Sequence, residues 1–301
     1  MLTSEKIKKY ALDFGASVCG IASIDRFKDE PLQQNPKSIL PSAKSVIGIG
    51  FSVPKGLYKA MEENRQRYLY TSIGVKYIDE EFSIITLYRL AQIIENEGYD
   101  ACVQRTVPNL KIKGDKTANP EIPDVFEMIY SIPVEEGKPA PDVILDYKKA
   151  AVFCGLGTMG LNGKVLSPKY GPYIRFIYIV TNLPLTPDPM LDYELCDKCG
   201  ECIKSCPGNA ISNEGVDSWQ CSVYYRGAHK SNPYITNDFL INHKDRDDIL
   251  NGKKHFSCDE ARAIYNELDF LPRTQTGYVP CLCGKKCETE CYKHLKGKGI
   301  I

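Results

Sequence analysis

The chain has 301 residues, 43% of them hydrophobic and 25% charged, with Lys+Arg and Asp+Glu both at 38, so its formal net charge is zero. That balance excludes a protein that binds nucleic acid through bulk basic charge, though not one with a local basic patch. The length admits one large domain or two smaller ones.

Thr3 and Ser4 offer caps to an amphipathic helix predicted over about 4–14, and this N-terminus has neither a secretory h-region nor a twin-Arg signal. No apolar run reaches the length that crosses a bilayer. Together these predict a cytoplasmic protein with no membrane partner. Strands are expected at Ser17–Ala22 and Ser45–Ser52. A helix is expected over about 80–97, where Phe82, Ile85, Leu87, Leu90, Ile93 and Ile94 recur at helical spacing until Gly98. Another strand begins at Tyr99. Residues 107–142, rich in Pro, Lys and Asp, read as a long loop covering a site. A short helix (147–153), a Gly-rich turn and a strand (174–181) complete an α/β region spanning 1–190, and the Pro-rich stretch Asn182–Pro189 is a rigid linker into a Cys-rich region, 191–301.

Of the thirteen Cys, only Cys19, Cys102 and Cys154 precede residue 190. In a reducing compartment such clustering points to metal ligation before disulfides. Cys196, Cys199, Cys202 and Cys206, with Pro207 next, have the C-x₂-C-x₂-C-x₃-C-P spacing of bacterial ferredoxins, in which three thiolates wrap one [4Fe–4S] cluster and the fourth serves a second. Zinc prefers two separated pairs and suits so tight a triplet badly. By the pseudo-symmetry of two-cluster ferredoxins, Cys291 completes Cys196, Cys199 and Cys202, while Cys206 joins Cys221, Cys283 and Cys287. Cys258 and Cys281 are left over, and Cys281, two residues from Cys283, competes with it as ligand.

The run Cys154-Gly155-Leu156-Gly157 through Ser167, Pro168, Tyr170, Gly171 and Arg175, followed by Thr181-Asn182-Leu183-Pro184-Leu185 and the ferredoxin spacing, resembles the corrinoid-binding region of reductive dehalogenases. It is similar also to the epoxyqueuosine reductase family, cobalamin enzymes of tRNA modification, where a Cys-Ile-Ser-Tyr stretch follows the first Cys group as Cys221-Ser222-Val223-Tyr224 does here. The resemblance implies an α/β fold in which a nitroreductase-like cobalamin-binding domain precedes a ferredoxin-like domain with two [4Fe–4S] clusters. It places Gly155, Leu156, Gly157, Gly160, Gly163, Ser167, Tyr170 and Gly171 against the cofactor. In two places the chain departs from the family. An upstream Asp acting as proton donor aligns with Asp142 only across a gap, and the final Cys-Pro is replaced by Cys291-Tyr292, so a tRNA partner is not specifically indicated.

Gly155-Leu156-Gly157-Thr158-Met159-Gly160 also satisfies the dinucleotide pattern G-x-G-x-x-G, but residues 174–183 lack the acid expected about 20 positions on and Pro168 interrupts the helix that should follow. None of His229, His243, His255 and His294 sits in the Asp-x-His-x-x-Gly motif of cobalamin-binding mutases.

The function expected is a corrinoid-dependent iron–sulfur reductase of a small organic substrate, supplied with electrons by reduced ferredoxin or flavodoxin. Asp142 and Tyr170 are candidate acids, and Arg175 a fixed positive charge for an anionic leaving group. Each has a plainer reading: a solvated loop residue, packing, and a surface or phosphate-binding strand residue. Lys285, Lys286 and the tail from Lys293 read as solvated, or as a docking patch for an acidic donor. The alternatives are an electron-transfer or corrinoid-reactivating protein without substrate chemistry of its own, and a reductase using flavin or NAD.

Overall fold

The computed structural model describes residues 2–104, 135–139, 143–269, 271–274 and 277–301. Helix α1 (Ser4–Asp13) starts where the Thr3 hydroxyl accepts from the Lys6 N–H, and it buries Ile7 and Ala11. Strand β1 (Val18–Ser23), α2 (Pro36–Ile39) and β2 (Ser45–Ser52) follow. Next come α3 (Lys55–Glu62), α4 (Tyr68–Thr71), a π-helical stretch Ser72–Phe82 and α5 (Ser83–Asn96). Of the apolar positions expected from periodicity, α5 buries Leu87, Leu90 and Ile94, whereas Phe82 and Ile85 are exposed. The expected helix began too early, however, because residues up to Phe82 belong to the π-helical stretch, whose wider turn does not follow the 3.6-residue period. Strand β3 (Ala101–Gln104), α6 (Tyr147–Phe153), the hairpin β4 (Thr158–Met159) and β5 (Val165–Leu166), and β6 (Ile174–Thr181) complete this part.

The main sheet has the order β1-β2-β6-β3 with every pairing antiparallel. Because side chains alternate across a strand, Ile47, Ile49, Ile177 and Ile179 share one face and pack with α1 and α5. Val46, Tyr178 and Val180 share the other, beneath Ala150 and Ala151 of α6. The result is a three-layer α/β arrangement. The linker is rigid for a reason beyond its prolines. The Asp188 N–H donates to Ile21 O (2.8 Å), and its carboxylate accepts from Ile21 N (2.9 Å) and from the Lys8 ammonium, so it fastens onto β1.

The Cys-rich region contains α7 (Glu201–Ser205), the hairpin β7 (Ile211–Ser212) and β8 (Gly215–Val216), α8 (Ser218–Tyr225), α9 (Arg246–Leu250), α10 (Cys258–Leu268) and α11 (Lys286–Gly297). Helices α8 to α10 enclose a core of their own around Trp219, Val223, Phe239, Ile249, Phe256 and Ile264. Helices α8 and α9 are too short to carry a stripe of their own, whereas α10 buries Cys258, Ala261, Ile264 and Leu268 at helical spacing. Helix α11 returns to the α/β part through an aromatic column. The rings of Tyr58 and Tyr173 stack with centroids 3.6 Å apart, and Tyr292 of α11 stacks on Tyr173 at 4.3 Å. Cys281, Cys283 and Tyr225 pack into the same core as the sheet. The change in sequence character at residue 190 is therefore bridged by shared packing. Among the described residues no helix is long and apolar enough to cross a membrane.

Candidate metal centres

Between Cys196 and Cys202 the backbone turns sharply, with Lys198 (φ 56°) and Gly200 (φ 76°) both left-handed. For Lys198 this conformation costs on the order of 1 kcal/mol, and it lets Cys196, Cys199 and Cys202 line one small pocket. Cys291 of α11 lines the same pocket, together with Leu161, His294 and Leu295. His294 Nε2 lies 2.7 Å from Asp197 Oδ2 at the rim. Asp197, Cys199 and His294 are also close enough to share an ion, but that set would leave three of the four converging thiols unused. Four sulfur donors in one pocket match the ligand demand of an iron–sulfur cluster.

The second group begins at Cys206, which closes α7 and whose Sγ accepts from the Ala210 N–H (3.3 Å). Such N–H···S bonds tune a cluster's potential. Cys283 acts electrostatically on Cys206, on Cys221 of α8 and on Cys287, and Cys221 acts on Cys287. These four thiols therefore share one neighbourhood. Gly284 (φ 71°) and Lys285 (φ 50°) are left-handed and carry the chain from Cys283 round into α11. Cys281 is fully buried and its N–H donates to Thr71 Oγ1 (3.0 Å). Its thiol lies 3.8 Å from that of Cys283 and lowers the Cys283 pKa by hydrogen bonding. Cys258 is sealed in the separate core of α8 and α10. In the first group, burial and then the thiols of Cys196, Cys202 and Cys199 push Cys291 up to about 12. Without metal this thiol is protonated, so ligation there would release a proton.

Buried charge surrounds the second group, and it carried no signature in the sequence. Glu288, 1% exposed, accepts from Tyr58 Oη (2.8 Å) and lies 3.0 Å from Lys285 Nζ and 3.3 Å from Lys164 Nζ. Burial opposes its ionisation, but Lys164, Lys285 and the Tyr58 hydroxyl outweigh that and hold its pKa at about 2. The expectation that Lys285 is solvated or a docking residue is thus overturned, since its ammonium is held inside against Glu288. Lys293 is matched by Glu62 and Glu290, and His294 by Asp197.

Arg175 is likewise corrected. It sits on β6 and grips Asp79 of the π-helical stretch with two bonds, Nε to Oδ1 at 2.5 Å and Nη2 to Oδ2. Its charge is matched by a buried carboxylate, which leaves no bare cation for a leaving group. Tyr170 is half-buried on the turn between Ser167 and Gly171, with Lys169 Nζ 5.3 Å from its ring centroid. Asp142 lies outside the described residues.

The Gly-rich turn meets protein where the resemblance placed a cofactor. A Cβ on Gly155 would lie 2.3 Å from Pro189 O, and one on Gly157 would lie 2.2 Å from Leu166 O. At those two positions glycine is required by the approach of the chain's own backbone. Leu156 is buried against the sheet. Gly160 adjoins Asn162 and Leu166, and Gly171 packs on Tyr292, Leu295 and Ile301. Ser167, 1% exposed, exchanges backbone bonds with Gly171. Gly163 adjoins Val216, which lines an open cavity of 350 Å³ beside Cys221.

That cavity is walled by Val216, Ser222, Tyr225, Arg226, Tyr278 and Val279 as well as Cys221, and Tyr170 is not part of its lining. Tyr278 Oη donates to Glu80 (2.6 Å), which also pairs with Lys76 (3.2 Å). Burial and the Glu80 carboxylate raise the Tyr278 pKa and keep the phenol protonated. Two tyrosines, Tyr225 and Tyr278, thus stand in the wall of this cavity next to Cys221. Sequence reasoning missed Tyr278, because a lone Tyr among 19 carries no signal.

Residues 189–212 match the family described as 4Fe-4S binding domain. Across 235 residues the chain is 23% identical to the epoxyqueuosine reductase of Bacillus cereus, covering 76% of this chain and 50% of that protein. A shorter stretch of 65 residues is 38% identical to the tetrachloroethene reductive dehalogenase of Sulfurospirillum multivorans, covering 21% of this chain and 13% of the relative. The structure of epoxyqueuosine reductase from Streptococcus thermophilus superposes with a TM-score of 0.52 at 20% identity, over 91% of this chain and 68% of that one, a likeness of fold. This chain spans about half the length of the curated relative it matches from Bacillus cereus. The ferredoxin spacing and these similarities make the chain similar to epoxyqueuosine reductases and, over a shorter stretch, to a reductive dehalogenase, with a 4Fe-4S binding domain in common.

Proposed function

We propose that the chain is a corrinoid-dependent iron–sulfur reductase. The observation that carries this reading is that Cys196, Cys199, Cys202 and Cys291 line one small pocket while Cys221, a ligand candidate of the second group, borders an open cavity. Cys196, Cys199, Cys202 and Cys291 would hold one [4Fe–4S] cluster. Cys206, Cys221, Cys283 and Cys287 would hold the other. The first group, partly exposed, receives electrons from a reduced ferredoxin or flavodoxin. The second would place its cluster beside the cavity that Cys221 lines, and would supply electrons there. A cobalamin bound there supplies a strongly reducing, nucleophilic cobalt centre. On the chain's side, Tyr225 and Tyr278 would orient a ligand bound there. Tyr278 Oη holds a proton, and Glu80, with Lys76, fixes the hydroxyl's direction.

Two substrate classes are named by the relatives. The match to an epoxyqueuosine reductase covers three quarters of the chain and that to a dehalogenase one fifth, which favours an epoxide-bearing nucleoside of tRNA over a halogenated small molecule. The test is anoxic reconstitution with iron, sulfide and cobalamin. The expected product carries about eight irons and one cobalamin, and with a low-potential reductant it reduces an epoxyqueuosine-bearing tRNA stem loop. Full cluster loading with no cobalamin retained would overturn the proposal in favour of an electron carrier, and release of a flavin would favour the flavin reading. Turnover of an organohalide alone would keep the corrinoid chemistry and replace the substrate.

A further inference from the structure

A second pocket, of 290 Å³, lies against the loop joining Cys283 to Cys287 and is lined by Glu62, Asn64, Arg67, Ser231, Lys286 and Glu290, among others. Its charges do not balance internally. Lys293 binds both Glu62 and Glu290, so the two acids already have a cation. Arg67 is 3% exposed, yet among the described residues no carboxylate lies within ion-pair distance of it. Its Nη1 donates to Leu282 O (3.3 Å) and its Nη2 to Asn64 Oδ1, both uncharged acceptors, while Nε has no partner. A guanidinium cannot shed its proton at ordinary pH, and a buried charge without a counter-ion is strongly unfavourable.

The neighbours add positive charge. Among the described residues the Lys286 ammonium has one polar partner, the Ser231 hydroxyl, at 3.4 Å. Ser231 Oγ also bonds His229 Nδ1 (2.9 Å), and His229, 2% exposed, contributes no negative charge. The wall is shaped around the guanidinium, since a Cβ on Gly284 would lie 2.1 Å from Arg67 Nη1. Buried Arg67 and the Lys286 ammonium thus bring two cations to one corner beside the Ser231 hydroxyl, and among the described residues neither is paired with a carboxylate.

We infer that this pocket binds the oxyanion group of a small molecule, a phosphate or a carboxylate. Arg67 and Lys286 supply the charge, and Ser231 and Asn64 fix orientation. The inference stands apart from the corrinoid reading, because neither Arg67 nor Lys286 lines the cavity beside Cys221. A guanidinium and an ammonium recognise both oxyanions, so the probes separate the sources.

The test is titration calorimetry on the cluster-loaded whole chain with inorganic phosphate and, separately, malonate, at constant ionic strength made up with chloride. The expected result is saturable one-to-one binding of at least one probe. Phosphate alone marks a phosphate-ester site and malonate alone a carboxylate site. Arg67→Gln and Lys286→Gln should each weaken binding roughly tenfold or more, the loss of one charge-assisted hydrogen bond. Arg67→Gln also removes the bond to Leu282 O and can disturb folding, so the deciding variant is Lys286→Gln, whose side chain is exposed, with iron content verified first. Absence of saturable binding of either probe to the unmodified chain, or unchanged affinity in a folded Lys286→Gln, overturns the inference.

Discussion

The first thiol group draws three of its four sulfurs from the seven residues Cys196 to Cys202, and its partly exposed rim carries a hydrogen bond between Asp197 and His294. The second draws its four from Cys206 after α7, Cys221 on α8, and Cys283 and Cys287 around the start of α11, and it lies beside Glu288, buried between two lysines. A short loop with two left-handed residues can nearly preform the first. The second exists only when α8 and α11 have docked on the α/β core, where the Tyr58–Tyr173–Tyr292 column holds α11. One centre is thus local, the other tertiary, and they should respond differently to mutation.

The largest expected effect is on metal content. Cys199→Ala and Cys287→Ala should each lose about four of about eight irons, read as iron and acid-labile sulfide per chain. Cys281→Ala and Cys258→Ala should keep the full complement. A fully loaded Cys287→Ala, or a half-loaded Cys281→Ala, would break the division into two groups as drawn.

Next come the charges. Glu288→Gln strands two ammonium groups in the interior and should destabilise the fold by about 3–5 kcal/mol, whereas Asp197→Asn at the rim of the first group should change stability by about 0–1 kcal/mol. Chemical denaturation under anoxic conditions measures both, and equal effects would erase the contrast. Arg175→Ala should resemble Glu288→Gln, at about 3–5 kcal/mol, because it leaves Asp79 buried and unpaired. Adding Asp79→Asn to it should recover part of the loss, as expected if the pair is structural.

The smallest effect expected is at the Gly turn. Gly157→Ala forces a methyl against Leu166 O and should cost about 1–3 kcal/mol in thermal or denaturant unfolding. A neutral substitution would mean that β5 can retreat, and would restore the room for a ligand that the present packing removes.

Much of the α/β part was legible. Ser45–Ser52, Tyr147–Phe153 and Ile174–Thr181 coincide with their observed bounds, because long buried strands and a helix closed by a following glycine carry their signals in neighbouring residues. The π-helical stretch was not legible, since its wider turn does not follow the helical period, and of the α8 to α10 core only α10, with Cys258, Ala261, Ile264 and Leu268 at helical spacing, carries a pattern in sequence. The glycines were expected to lie against a cofactor, and at Gly155 and Gly157 the structure shows the chain's own backbone in close approach. A missing Cβ looks the same whether the neighbour is a cofactor or the chain's own carbonyl, and only the packing of Pro189 and Leu166 distinguishes them.

By itself the sequence determined the ligand chemistry, because the spacing of Cys196, Cys199, Cys202 and Cys206 restricts the geometry their thiols can adopt within one loop. Tertiary structure alone decided which remaining thiols face them and which charges are matched. Arg175 meets Asp79 across 96 residues, and Tyr58 meets Glu288 across 230. Interactions at such separations depend on how helices dock, and docking is governed by summed burial rather than by any residue's neighbours in the chain.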